Sequence, residues 1–291
     1  MDTITHALFG LVLYRTIDKG IMSKEMKRSL LFTSVVGSEI PDIDVVSQLW
    51  DTGGRYMMWH RGITHSVLLI PLWAALLTLL SALFWQIKNL GFLKKLFGLG
   101  LLAVFIHDTS DIFNAWGTGY FEPFTQTRLT FGTVPIVDLT IWVIVAGAFL
   151  TARFSRLSAT RIFRTAACLI LLQFASQSLQ GYVIYQSMKD QYEQTVLSAS
   201  FVPGSFQVIG KKPGMIEISE ATIWSDPRLI HAIPTNDDAD LTPLFAKNPE
   251  AKTLYEWAPF VAVVEDEKRL AIFDPRFYSR GESFLYEYIE K

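Results

Sequence analysis

Apolar residues fill the first two thirds of this chain in runs longer than a soluble core requires, and clusters of polar residues interrupt them. A bilayer span needs about 20 predominantly apolar residues. The clearest run is Ile63 to Ile87, through Leu68-Leu69-Ile70 and Ala74-Ala75-Leu76-Leu77. Leu96 to Phe113, Val134 to Ala152 and Ile162 to Tyr185 are three more. Ser29 to Trp50 is weaker, apolar at first and acidic later, and Ile4 to Ile17 is too short to cross alone and reads as a half-inserted helix. The pattern predicts a mainly α membrane protein, a helical bundle of about five or six membrane segments over residues 1–190.

Beyond Tyr185 the pattern changes. Phe260-Val261-Ala262-Val263-Val264 and Arg269-Leu270-Ala271-Ile272-Phe273 flank Glu265-Asp266-Glu267-Lys268, the signature of a hairpin. Ser205–Ile209 and Gly214–Ile218, around Lys211-Lys212-Pro213, predict another. Residues 191–291 are therefore expected to form a small β-rich domain.

Composition sharpens this reading. The chain has 291 residues, 50% of them hydrophobic and 19% charged, with a mean hydropathy of +0.28, the bias that membrane spans produce. A net charge of -2 leaves no bulk basic surface for nucleic acid. The single cysteine, Cys168, excludes an intrachain disulfide and a thiolate cluster, and in its apolar run it reads as a small buried hydrophobe. The start Met1-Asp2 lacks the basic region of a signal peptide.

Lysine and arginine favour the cytoplasmic side. Arg15, Lys19, Lys24, Lys27 and Arg28 fill the first interhelical loop, Lys88, Lys94 and Lys95 the loop after the third segment, and Arg153, Arg156, Arg161 and Arg164 the loop after the fifth. These loops alternate, so all three are expected in the cytoplasm. Asp2, His6, Glu39, Asp42, Asp44, His60, Arg61, His65, His107, Asp108, Asp111 and Asp138 then fall in one outer layer, and by parity the β-rich domain is extracytoplasmic too.

Four of the five histidines lie in the first 107 residues, each with acidic neighbours. Imidazole and carboxylate are the usual ligands of zinc and related metals, and ionisable groups within a membrane mark function. His107 and Asp111 stand at i, i+4, on one helical face; the plainer reading is a histidine at a helix end. Asp42 and Asp44 follow the helix-interrupting Pro41, so one can ligate while the other orients a histidine, or both can be solvated loop acids. Glu39 is a candidate ligand or general base. In His60-Arg61-Gly62-Ile63-Thr64-His65-Ser66, the two histidines are candidate ligands and Arg61 can clamp an anionic oxygen or snorkel at the interface. Asp2 and His6 form a second i, i+4 pair, although Asp2 can instead cap the helix. His231, alone in Leu229-Ile230-His231-Ala232, reads as structural.

At these residues the chain resembles the YdjM-like family of LexA-regulated inner-membrane proteins described as metal-dependent hydrolases. The likeness covers roughly residues 1 to 190. It rests on Asp2-x-x-Thr5-His6, Gly37-Ser38-x-x-Pro41-Asp42-x-Asp44, His60-Arg61-Gly62-x-Thr64-His65-Ser66, His107-x-x-x-Asp111, Gly119, Pro123-Phe124 and Asp138. The remainder resembles the divergent tail of Bacillus-type members. The resemblance implies a membrane location, a hydrolase class without a substrate, and metal binding by His6, Asp42, Asp44, His65, His107 and Asp111. Asn114 stands where many relatives are expected to carry Thr. The pair His107-Asp108 invites a rival comparison with HD-type phosphohydrolases, which the early clusters fit poorly in spacing. His-x-x-x-Asp also resembles the helical zinc phospholipase C and nuclease fold, as an analogy only.

The expected function is metal-dependent hydrolysis at the outer leaflet of the cell membrane, on a phosphoester of a lipid or lipid-linked substrate. One or two divalent ions, zinc or manganese, would be held by residues among Asp2, His6, Asp42, Asp44, His60, His65, His107 and Asp111. Glu39 or Asp108 is the expected general base, and Arg61 the group that steadies an oxyanion. The alternatives are a metal-binding transporter or sensor and a non-catalytic membrane regulator.

Overall fold

The computed structural model describes residues 1–291, mostly helical with a β-rich C-terminal part. The chain forms two compact units: residues 1–44, 61–130 and 134–177 make the first, and residues 45–60, 131–133 and 178–291 the second. The second unit thus begins at residue 178, inside a helix, and takes in two short earlier segments.

The first unit is built on α1 (Thr3–Thr16), α2 (Lys24–Gly37), α4 (Ile70–Trp85), α5 (Leu90–Ile112), α6 (Leu139–Phe154) and the first two thirds of α7 (Ala159–Met188). Side chains fix where the helices begin. Asp2 accepts from Thr5 N, Ser23 from Met26 N, Asn89 from Phe92 N at 2.8 Å, and Asp138 from Thr140 N at 2.8 Å, each satisfying amides that the first turn leaves open. Pro71 stands in the first turn of α4, where its missing N–H costs nothing. Small residues bring the helices together: a Cβ on Gly10 would lie 2.7 Å from Ser34 O on α2, and one on Gly37 would lie 2.9 Å from Ala103 Cβ on α5. The core runs through Phe9 and Val12, Ile141 and Val145, and Phe163, Ala166 and Ile170, so that α1, α6 and α7 share one apolar seam.

The second unit carries an antiparallel meander of β1 (Gln194–Ala199), β2 (Ser205–Lys212), β3 (Met215–Thr222) and β4 (Ser225–Pro234). Ile184 and Met188 at the end of α7 pack on Leu197, Phe206, Val208 and Ala221 of this sheet. The unit also contains α3 (Tyr56–Trp59), α8 (Thr242–Lys247), α9 (Pro249–Trp257), and a three-stranded sheet of β5 (Ala262–Glu265), β6 (Arg269–Phe273) and β9 (Tyr286–Glu290), with the short pair β7 (Tyr278–Ser279) and β8 (Glu282–Ser283). Both predicted hairpins are present: β5 pairs with β6 and β2 with β3, antiparallel in each case.

The number of spans is smaller than the hydropathy pattern predicts. Two helices, α5 and α7, are long and apolar enough to cross a membrane, or three segments if Tyr56–His65 and Ile70–Trp85 count as one broken span, in place of five or six. Length is the reason. At 1.5 Å per residue, α1 and α2 reach about 21 Å and α6 about 24 Å, short of the roughly 30 Å hydrocarbon core. Pro41 and the 3-10 segment Ile40–Leu49 cut short the weak span begun by α2. Lys94 and Lys95 lie within α5, not in a loop before it, so the parity argument that assigned sides to the loops does not follow from this fold. Cys168, expected to be buried, is exposed on α7.

Candidate metal centre

The site lies where four stretches of the first unit end or turn: the start of α1, the segment after α2, residues 61–65, and the last turns of α5. Donor atoms of Asp42, His65, His107 and Asp111 all lie within 4.8 Å of one another, and the cluster could hold a metal ion. His65 Nε2 stands 3.1 Å from His107 Nε2, 3.2 Å from Asp42 Oδ1 and 3.7 Å from Asp111 Oδ2, and His107 Nε2 stands 3.7 Å from Asp42 Oδ1. Ligands about 2.0–2.2 Å from a tetrahedral ion are roughly 3.3–3.6 Å apart, close to these spacings. Three of the four are fully buried, with Asp42 at the open side.

The outer contacts turn the donors inward. His107 Nδ1 lies 2.7 Å from Ser38 O, which places the proton on Nδ1 and leaves the Nε2 lone pair toward the cluster. His65 Nδ1 faces Thr64 Oγ1 at 3.0 Å and Asp44 Oδ2 at 3.5 Å. Asp44 Oδ2 accepts from Thr64 Oγ1 at 2.6 Å and from Arg61 N at 2.9 Å. Asp44, expected to ligate, stands behind His65, where it can orient that ring, and it also belongs with Asp42 to a second group of donors that could hold a metal ion.

Arg61 is also built into the frame. Its Nε lies 2.9 Å from Asp111 Oδ2, one terminal nitrogen donates to Asn114 Oδ1 at 3.1 Å and the other to Met1 O at 2.8 Å. Its carbonyl accepts from Gly119 N at 2.6 Å. The side chain is buried, and the backbone sits at φ 57°, a left-handed conformation uncommon for a residue other than glycine. The expected oxyanion clamp is thus committed to holding Asp111.

The remaining expected residues take distinct places. His6 is fully buried, stacks on His107 with ring centroids 3.8 Å apart, and brings Nε2 within 3.3 Å of Asp111 Oδ1, so it walls the cluster without joining its four donors. The Met1 amino group also contacts Asp111 Oδ1. Asp2 serves as the α1 cap, with Thr5 Oγ1 donating to it at 2.5 Å. Asp138 caps α6 and accepts from Gln173 Nε2 at 3.1 Å. His60 belongs to the second unit and stacks on Tyr56 at 5.1 Å. His231 packs edge-on against Tyr278, as the structural reading expects. Asp108 is buried with no hydrogen-bond partner on either oxygen. Glu39 is half-buried, and burial, with Asp42 and Asp2 nearby, pushes its carboxyl up to about 8.

Sequence reasoning passed over two roles. Ser38 contributes a main-chain carbonyl, which no side-chain pattern can announce, and Asn114 anchors Arg61 and accepts from Trp116 N at 2.8 Å. The spacing of Asn114, one turn after Asp111 on the same helix end, was the available signal.

The sequence pattern of the YdjM inner membrane protein family matches residues 1–183, and the chain belongs to that family. It is 34% identical over 146 residues to the "Uncharacterized protein YfhP" of Bacillus subtilis (strain 168), a match covering 49% of this chain and 43% of that protein, so less than half the relative's length is spanned. No solved structure matches the chain.

Proposed function

We propose that this membrane protein is a metal-dependent hydrolase with one divalent ion, zinc or manganese, held by Asp42, His65, His107 and Asp111. The observation that carries the reading is the convergence of four donors from three separate stretches of chain within 4.8 Å. When bound, the ion would polarise a scissile group and lower the pKa of a water. The chain's own residues would do the rest. Ser38 O and Asp44 orient the two imidazoles, and Arg61 fixes the Asp111 carboxylate. Glu39, beside Asp42 at the rim, can hold a proton near neutral pH and pass it to a leaving oxygen.

The proposed substrate class is a phosphoester of a lipid or lipid-linked molecule, cleaved at the extracytoplasmic face. Its support is the site's place at the end of the apolar helix α5, where a headgroup and not an acyl chain would meet it. Purified protein loaded with zinc or manganese is screened against lipid phosphoesters beside His65→Ala. Turnover by wild type and none by the variant supports the reading. Metal-loaded protein that leaves every lipid phosphoester intact overturns the substrate class, and protein that retains neither metal overturns the metallohydrolase.

One observation favours a second reading, a metal-binding transporter or sensor: Asp108 is an unpartnered carboxylate within the candidate span α5. Metal flux across sealed vesicles, abolished by Asp108→Asn, would establish it in place of hydrolysis.

A further inference from the structure

Within the first unit, a groove of about 520 Å³ runs between α1, α5 and α7, the ordinary size of a ligand pocket. Its walls extend from Thr16 to Phe9 on α1, from Leu102 to Phe113 on α5 and from Ala167 to Phe174 on α7. Apart from the Thr16, Thr109 and Ser110 hydroxyls, the lining is apolar. On α5 it recurs at helical spacing, so it occupies one face and leaves His107 and Asp111 on the other. The groove is therefore no part of the metal centre.

The two ends of the groove differ. One is closed by aromatic rings: Phe174 lies 6.3 Å from Phe9 and 5.3 Å from Phe113, centre to centre, and Phe9 in turn meets His6, the wall of the metal cluster, at 6.2 Å. The other end is basic. Arg164, one turn before Ala167, donates its Nε to Thr16 O at 3.1 Å and so ties the end of α1 to the start of α7. Arg161 stands one turn earlier on α7, and both arginines are exposed, with no carboxylate partner. Asp18, the acid nearest Thr16 in the chain, accepts from Gly20 N at 3.0 Å. From Leu102 to Phe113, α5 rises roughly 16 Å. That is about half of a hydrocarbon core of roughly 30 Å, the depth of one leaflet. α5 lies wholly in the first unit and is long and apolar enough to cross a membrane, so this wall of the groove belongs to the hydrocarbon layer.

We propose that the groove between α1, α5 and α7 binds one anionic phospholipid, with a fatty chain along the groove and the phosphate at Arg161 and Arg164. Charge and length select this occupant together. A guanidinium holds a phosphate through paired N–H donors, and unpaired basic side chains beside a membrane helix favour anionic over neutral headgroups. The apolar walls supply a bed of one leaflet's depth, and the aromatic rings stop the chain before it reaches His6. The phosphate thus lies at the far end of the groove from the metal cluster. This lipid is not the substrate, and the inference is independent of the metal and of catalysis.

The test uses the full chain in detergent, titrated with phosphatidylglycerol or phosphatidylcholine and read by native mass spectrometry. Wild type should saturate with one phosphatidylglycerol and hold phosphatidylcholine more weakly. Arg164→Gln should weaken the phosphatidylglycerol complex roughly fivefold, the share of one basic side chain at a headgroup. Leu171→Trp, which fills the groove from an exposed position, should abolish it. Arg153→Gln, at the end of α6 and off the groove, should change nothing. Equal retention of the two lipids, or an equal loss with Arg153→Gln, overturns the proposal, because the lipid would then be an unselective coat. Displacement by inorganic phosphate at the lipid's concentration also overturns it, because a headgroup alone would then suffice. Phosphatidylglycerol with a diazirine at its chain end should label the segments that carry Phe113 or Phe174; label spread instead along the exposed leucines of α4 overturns the placing of the chain.

Discussion

At two places this molecule buries charge in opposite ways. In the second unit, Asp274 accepts from the Arg276 amide at 2.9 Å and from its guanidinium at 2.6–3.1 Å, and the guanidinium lies 4.7 Å from the centre of the Trp257 ring. Each charge there answers the other. At the end of α5, by contrast, two imidazoles point their Nε2 atoms at each other and at two carboxylates, while Asp108 beside them meets no donor. Burying a charge without a partner costs several kcal/mol, which sets Asp108 apart from the Asp274–Arg276 pair. A self-satisfied pair is architecture; a set of inward-facing donors could hold a metal ion.

The contrast makes predictions that can break it. Asp274→Ala takes the carboxylate away from the buried Arg276 guanidinium, and should cost about 3–5 kcal/mol in chemical unfolding of the purified protein in detergent. A loss near zero would mean that the pair is not what holds this part together. At the other place, Asp44→Asn should leave the fold intact but weaken zinc binding about 10–100-fold in competitive titration, since His65 loses its orienting carboxylate. Unchanged affinity would remove Asp44 from the support of the site.

Smaller effects sharpen the distinction. In metal-free protein, Asp108→Leu removes an unsatisfied buried carboxylate and should raise stability by about 1–3 kcal/mol, whereas the same exchange at a structural acid lowers it. The smallest effect concerns Glu39. Its folded-state value of about 8 lies above the ordinary 4.5, so the folded chain binds more protons than the unfolded one between those limits. Glu39's contribution to the stability of the metal-free protein should therefore be level below about pH 4.5 and fall as pH rises to about 8. Glu39→Gln should flatten the slope, and a pH scan of unfolding in the presence of chelator reads both.

Much of the site was legible because its chemistry is carried by rare residues. His65, His107, Asp42 and Asp111 stand out in an apolar chain, and i, i+4 spacing already set His107 and Asp111 on one face. What the sequence could not separate was ligand from support. Asp42 and Asp44 look alike two positions apart, and only the 3-10 path after Pro41 turns one into the cluster and the other behind His65. Arg61 looked free for substrate because nothing in the chain foretells its reach to Asn114, 53 positions away. The β-hairpins were readable from alternation and turn residues. The spans were overcounted because hydropathy averages over loops: Asp138 and Pro71 start α6 and α4 well inside runs that look continuous.

The backbone of Arg61 has a consequence for how this position can vary. Glycine would relax the left-handed φ of 57°, a gain of about 1 kcal/mol or more. It would also delete the only arginine that grips Asp111. Losing that buried ion pair would cost about 3–5 kcal/mol, more than the backbone gains. A library screened for melting temperature and one screened for metal retention should therefore both hold arginine at position 61 despite the strain.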